Sequence, residues 1–133
     1  MRPARTWTPP EVDLHIDVSW LLDVQEQRMT DLAVRDYSAL VAAVARHRVN
    51  TPRLETEPDA AWRAAALLHT IVQLRPLPAR NALFGCMVAV AYMDSSGEGM
   101  DAPYGVLIDL VREIASGKTD AFGAADRIRL WRI

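Results

Sequence analysis

Residues 57–93 do most to limit the fold: EPDAAWRAAALLHTIVQL, then RPLPARN, then ALFGCMVAVAYM. The first block opens with Glu57-Pro58-Asp59, acids with a proline at or near a first helical position, which is a helix-start signal. From about Asp59 to Leu74 its apolar residues cover most of a helical circumference. Trp62, Ala65, Ala66 and His69 share one side, and Ala61, Leu68, Ile71 and Leu74 widen the surface. A helix apolar on most sides has to be buried by other helices or by a sheet. Pro76 and Pro78 stop it, because proline lacks the N–H and disfavours helix at the residue before it. Pro78 is placed to open a second apolar helix, about Ala79 to Ser95. That helix carries the small residues Gly85, Cys86, Ala89 and Ala91, which let neighbours approach closely, so it is expected to be central. Ser95-Ser96-Gly97 closes it.

The rest of the chain supplies the neighbours. Residues 1–11 are rich in Pro, Arg and Thr and read as a flexible lead-in, with residues 12–133 as one domain. Val12, Leu14, Ile16 and Val18 alternate with polar residues, a short strand-like or extended signal, and SWLLDVQEQ after them is helical in composition. DYSALVAAVARHRV places Tyr37, Leu40, Val41 and Val44 on one side, with Arg46, His47 and Arg48 closing the last turn, where cations suit the helix dipole. NTPRLET is a loop. PYGVLIDLVREIASG is amphipathic, with Val106, Leu107, Leu110, Val111 and Ile114 inside, and a last helix runs from about Asp120 to Trp131. The expectation is an all-α single-domain bundle of five or six helices.

Composition excludes several functions. The 133 residues suit one domain, and the net charge of −2 argues against a protein that coats nucleic acid or a membrane surface. The Arg46/Arg48 and Arg127/Arg129/Arg132 clusters read as solvated helix faces. The single cysteine, Cys86, sits among apolar residues with no His or Lys beside it, so it reads as a buried inert thiol. No signal peptide follows MRPARTWTPPE, and the apolar run from Ala82 to Met93 is too short to span a bilayer. A cytoplasmic protein is expected. Glu98 and Asp101 flank a Gly-Glu-Gly loop without metal-ligand spacing.

From residue 64 onward the chain, AAALLHTIVQLRPLPARNALFGCMVAVAYMDSSG…IDLVREIASG…AADRIRLW, resembles the second half of the Fic/Doc family, the fold of the death-on-curing toxins. The resemblance rests on Leu67-Leu68-His69, the Arg75–Leu83 loop, Ser96-Gly97 and Asp109-Leu110 to Gly117, and covers about residues 57–131. It is also similar to a short actinobacterial subgroup of toxin components whose loops carry Asn-Ala-Leu-Phe, here Asn81 to Phe84. The resemblance implies a toxin of a toxin–antitoxin system, with a separate antitoxin protein as partner and a protein as target. It also implies ATP or another nucleotide with magnesium, and transfer of AMP or phosphate to a protein hydroxyl.

The family loop reads His-Pro-Phe-x-Asp/Glu-Gly-Asn-Lys/Gly-Arg. Pro76, Leu77 and Asn81 match it or can serve in its place. The histidine that acts as base falls on Arg75, which stays protonated. The acid that holds magnesium falls on Ala79, the cradle glycine on Arg80, and the Lys/Gly and phosphate-gripping Arg on Ala82 and Leu83. Loss of base, metal ligand and clamp together argues against ordinary group transfer. No catalytic residue and no metal site is assigned. What remains is a helix N-terminus with Arg75, Arg80 and Asn81 as candidates for holding a phosphate, carboxylate or nucleotide. The bland reading is that Asn81 and Pro78 open the helix while both arginines face solvent or acids. His69 fits a second-shell, packing position before the loop. Two functions stay open: a toxin with a degenerate loop, and an inactive Fic-fold protein that acts through a partner protein or a bound anion.

Overall fold

A computed structural model describes residues 13–103 and 105–133. The lead-in, residues 1–11, lies outside the described residues, as does Val12 at the head of the alternating stretch. Six helices follow in order: α1 Val18–Arg28, α2 Tyr37–His47, α3 Ala60–Leu74, α4 Asn81–Ser95, α5 Val106–Ser116 and α6 Ala121–Trp131. The described residues form no strand, only isolated bridges between Arg53 and Thr56 and between Met100 and Arg132. The fold is the all-α bundle expected.

Four helices start at an aspartate whose carboxylate accepts backbone N–H groups of the first turn: Asp17, Asp36, Asp59 and Asp120. Such a cap satisfies donors that the helix itself leaves unpaired. Asp59 caps α3 itself, and Pro58 stands one residue outside.

The helix at the centre is α3, not α4. It packs against α2, α4, α5 and α6, and residues 61–68 and 70–72 are buried. The reason is the alanine content of its first half, Ala60, Ala61, Ala64, Ala65 and Ala66, which admits neighbours on all sides. The small residues of α4 do serve close approach. A Cβ at Gly85 would lie 2.9 Å from Leu68 Cδ1 of α3.

One amphipathic reading shifts in register, and one strand-like signal forms no strand. In α2 the buried residues are Ala39, Leu40, Ala43 and His47, whereas Tyr37 and Val41 are 57% and 56% exposed. Ala39 and Ala43 bring α2 close to α3, which turns the larger Tyr37 and Val41 outward. The alternating segment forms neither helix nor strand over residues 13–17. Its backbone is held by side chains instead: Ile16 N–H donates to His47 Nε2 (2.9 Å), and the Tyr92 hydroxyl donates to Leu14 O (2.5 Å).

The charged groups expected on solvated faces are largely paired. Arg127 grips Glu113 with two bonds of 2.5 and 2.6 Å. Arg129 bonds Asp59 and Asp126 through all three nitrogens, tying α6 to the start of α3. In α2, His47 is not a cation on the helix dipole. It is buried, and burial pushes its pKa down to about 4. No described helix is long and apolar enough to cross a membrane.

Candidate functional site

The connection between α3 and α4 begins and ends on arginines in the left-handed region. Arg75, the C-cap of α3, has φ 52, and Arg80, the N-cap of α4, has φ 56. For an L-residue with a side chain this backbone costs about 1–2 kcal/mol at each position. It also explains why α4 starts at Asn81 and not near Pro78 or Ala79: a left-handed residue cannot continue into a right-handed helix. Between the arginines, Pro76 and Leu77 turn inward and Leu77 is fully buried.

Asn81 holds the loop shut. Its Oδ1 accepts the Leu77 N–H (2.8 Å) and its Nδ2 donates to Leu77 O (2.9 Å). Both ends of the amide are therefore committed to the chain's own backbone. Replacing Asn81 with alanine removes both bonds at a half-buried site. A loss of about 1–2 kcal/mol in urea unfolding is expected, with no fall in anion affinity beyond what loosening the loop causes.

The α1–α2 connection clamps the same loop from outside. Pro76 O accepts the backbone N–H groups of Arg35 (2.8 Å) and Asp36 (3.1 Å). Arg35 Nη2 donates to Arg75 O (3.2 Å). Arg80 Nη2 pairs with Asp31 at 2.5 Å, with both side chains largely exposed.

Arg75, Arg80 and Asn81 line one open hollow of about 350 Å³, closed on its far side by Val72, Val111 and Ala115. The three loop candidates are thus brought together. His69 is not on this hollow. Its Nδ1 faces Arg46 Nη1 at 2.7 Å, and burial followed by the Arg46 charge lowers its pKa, so the ring is a neutral acceptor for Arg46. Neither end of the α1–α2 clamp was among the sequence candidates. Asp31 and Arg35 lie about forty-five residues upstream with no motif to connect them, and only the fold brings them to the loop.

The hollow's chemistry is cationic and metal-poor. Among the described residues no side-chain carboxylate lines it, Ala79 offers no ligand atom, and the one side-chain oxygen, Asn81 Oδ1, is already bonded. A magnesium ion needs oxygen ligands, commonly a carboxylate, so these residues do not fit one. Arg75 takes part in no ion pair among the described residues, whereas Arg80 has Asp31. No side chain caps α4. The N–H groups of a helix's first turn together with one unpaired guanidinium make an arrangement that suits an anion.

The thiol of Cys86 lies half-buried on α4, away from the loop, and burial raises its pKa to about 11, which leaves it protonated and unreactive. No protein-family model matches the chain, and no curated protein matches it.

Proposed function

We propose that this chain is a Fic/Doc-like toxin component of a bacterial toxin–antitoxin system, acting in the cytoplasm, with a loop that binds an anion and does not carry out the family's usual AMP or phosphate transfer. The observation that carries the reading is the backbone of Arg80. The family has glycine there, and Arg80 adopts the left-handed conformation that glycine adopts at least cost. Two neighbouring positions agree. Leu77, at the apolar anchor position, is fully buried, and Asn81, at the asparagine position, grips Leu77. These three positions support the reading of a loop that keeps part of the family's pattern and lacks its chemistry. Arg75 cannot take a proton, and nothing on the hollow can hold magnesium.

In this reading Arg75 and the amides of α4 hold a phosphate or carboxylate. Arg80 joins them when it leaves Asp31, an exposed pair worth only about 0–1 kcal/mol. A separate antitoxin protein keeps the toxin inactive.

Calorimetric titration with inorganic phosphate and with ATP, each with and without magnesium, tests the loop. Binding independent of magnesium and weakened about tenfold by Arg75→Ala is expected, and Asp31→Asn is expected to strengthen it two- to threefold. Tight binding of ATP only with magnesium, or labelled transfer from ATP onto lysate proteins, would overturn the non-transferring loop. Growth arrest on expression, relieved by a small protein encoded beside it, tests the toxin assignment. Normal growth at high expression of folded protein would overturn it.

A further inference from the structure

At the opposite end of α3 from the loop, the 50–57 connection, the start of α3 and α6 enclose a second hollow of about 100 Å³. Two side chains of its wall carry donors that have no acceptor among the described residues. Trp62 lines it and is 4% exposed, and its Nε1–H is buried without a partner. Arg53 also lines it, with Cζ 3.6 Å from the centroid of the Phe122 ring, and takes part in no ion pair among the described residues. Arg129, on the same wall, is by contrast consumed by Asp59 and Asp126. A buried indole N–H ordinarily finds an acceptor. Here the described residues supply none, although the hollow leaves space beside the Trp62 side chain.

The space and the donors define the occupant. About 100 Å³ is the share of roughly three waters, or of a carboxylate with one or two carbons behind it. An acceptor that can serve an indole N–H and a guanidinium at once is a carboxylate. Phe122 and Trp62, with ring centroids 6.4 Å apart, give the carbon end an apolar wall. The turn that carries Arg53 is closed by the Arg53–Thr56 bridge and held by Glu55 at φ 62, a conformation an L-residue adopts only at a cost. Its next residue, Leu54, stands 93% exposed. An exposed apolar residue next in the chain to Arg53 suits a peptide in which an apolar residue follows an acidic one.

We propose that this hollow is a carboxylate-binding site, with Trp62 Nε1–H and the Arg53 guanidinium as its donors. It is independent of the loop and of the toxin reading, since Trp62 and Arg75 lie about 20 Å apart along α3. The four tryptophans give four indole N–H signals in a proton–nitrogen correlation spectrum, and Trp62→Phe identifies its own by loss. Titration with sodium propionate, against sodium chloride at equal ionic strength, is expected to move the Trp62 signal saturably downfield. Arg53→Ala should weaken this at least fivefold. Glu57→Gln, which removes one of the two exposed acids on the wall (the other, Asp126, is held by Arg129), should strengthen it about twofold.

Acetyl-Glu-Leu-amide and acetyl-Gln-Leu-amide identify the source. Tighter binding of the Glu peptide than of propionate assigns the site to a partner's acidic side chain, and the reverse assigns it to a free small acid. A Trp62 signal that stays still, drifts without saturation, or responds equally in Arg53→Ala means that the indole is served by water alone, and overturns the proposal.

Discussion

Arg63→Leu is expected to lower the unfolding free energy by about 3–4 kcal/mol and the melting temperature by about 10 °C. Arg63 is fully buried in α3 and makes five hydrogen bonds. Nε and Nη2 hold the Asp13 carboxylate at 2.8 and 3.1 Å. Nη1 donates to His47 O (2.5 Å) and Val49 O (3.3 Å), and Nη2 also reaches Asn50 Oδ1 (2.9 Å). One guanidinium therefore joins the segment before α1, the C-terminal end of α2 and the centre of the bundle.

Exchanging a whole buried ion pair for apolar residues is often harmless, because both partners and their desolvation costs disappear together. That escape is closed here. The Asp13 side chain is 58% exposed and can rehydrate, but the carbonyls that cap the end of α2 cannot be removed by mutation and lose their donor. Leucine fills part of the volume and restores none of the bonds. Asp13→Asn keeps an acceptor for the guanidinium and should cost no more than about 1 kcal/mol. Urea unfolding of the two variants decides the matter. A loss below 1 kcal/mol for Arg63→Leu would show that Arg63 is not the joint described.

Arg63 also shows what the sequence could and could not convey. Helix existence and order follow from periodicity, from the Glu57-Pro58-Asp59 start and from the Pro76/Pro78 break, and the helices lie where those signals put them to within a few residues, α4 starting later than expected at Asn81. Arg63, by contrast, sits in a run read as apolar, and nothing local marks it as buried and bonded to a residue fifty positions earlier. The inward face of α2 was misassigned for a related reason. Helical spacing put Tyr37 and Val41 on one side with Leu40 and Val44, but how closely α2 and α3 approach is set by Ala39 and Ala43. At the loop, the residue types that remove a base and a metal ligand were legible at once. Its shape was not: two non-glycine left-handed residues and the clamp from Asp31 and Arg35 depend on a neighbour some forty residues away. The Trp62 hollow left no sequence signal, because an unpaired indole is a property of what surrounds it.

Acidification should destabilise the protein well before its carboxylates titrate, and His47 should be the cause. The ring is fully buried at the end of α2. Its Nε2 accepts the Ile16 N–H at 2.9 Å, and Nδ1 faces Val44 O at hydrogen-bond distance, which fixes the neutral tautomer with the proton on Nδ1. Burial is the largest cause of its lowered pKa. The Val44 carbonyl works against it, and Arg48, His15 and Arg63 add to it. His15 and Tyr92 face the ring edge-on, each with centroids 6.1 Å away, and no carboxylate is among the groups that shift its pKa. The pKa falls from 6.5 to about 4. Between those values the unfolded chain binds a proton that the folded protein refuses. Stability is therefore full above about pH 6.5 and is lost progressively as the pH falls to about 4, by about 3 kcal/mol in all. The lowered carboxylates, Asp36, Asp59, Glu113 and Asp120, act in the same direction but only below their ordinary range near 4. His69, half-buried and also lowered, adds a smaller contribution within the His47 window. Urea unfolding at pH 7.5, 6.5, 5.5 and 4.5 measures the slope. His47→Gln keeps an acceptor for Ile16 and removes the titration, so it should start less stable at pH 7.5 and lose most of the slope, whereas His69→Gln should keep most of it. An unchanged slope in His47→Gln would show that the protein's acid sensitivity arises elsewhere and that the ring is not the neutral acceptor holding the segment before α1.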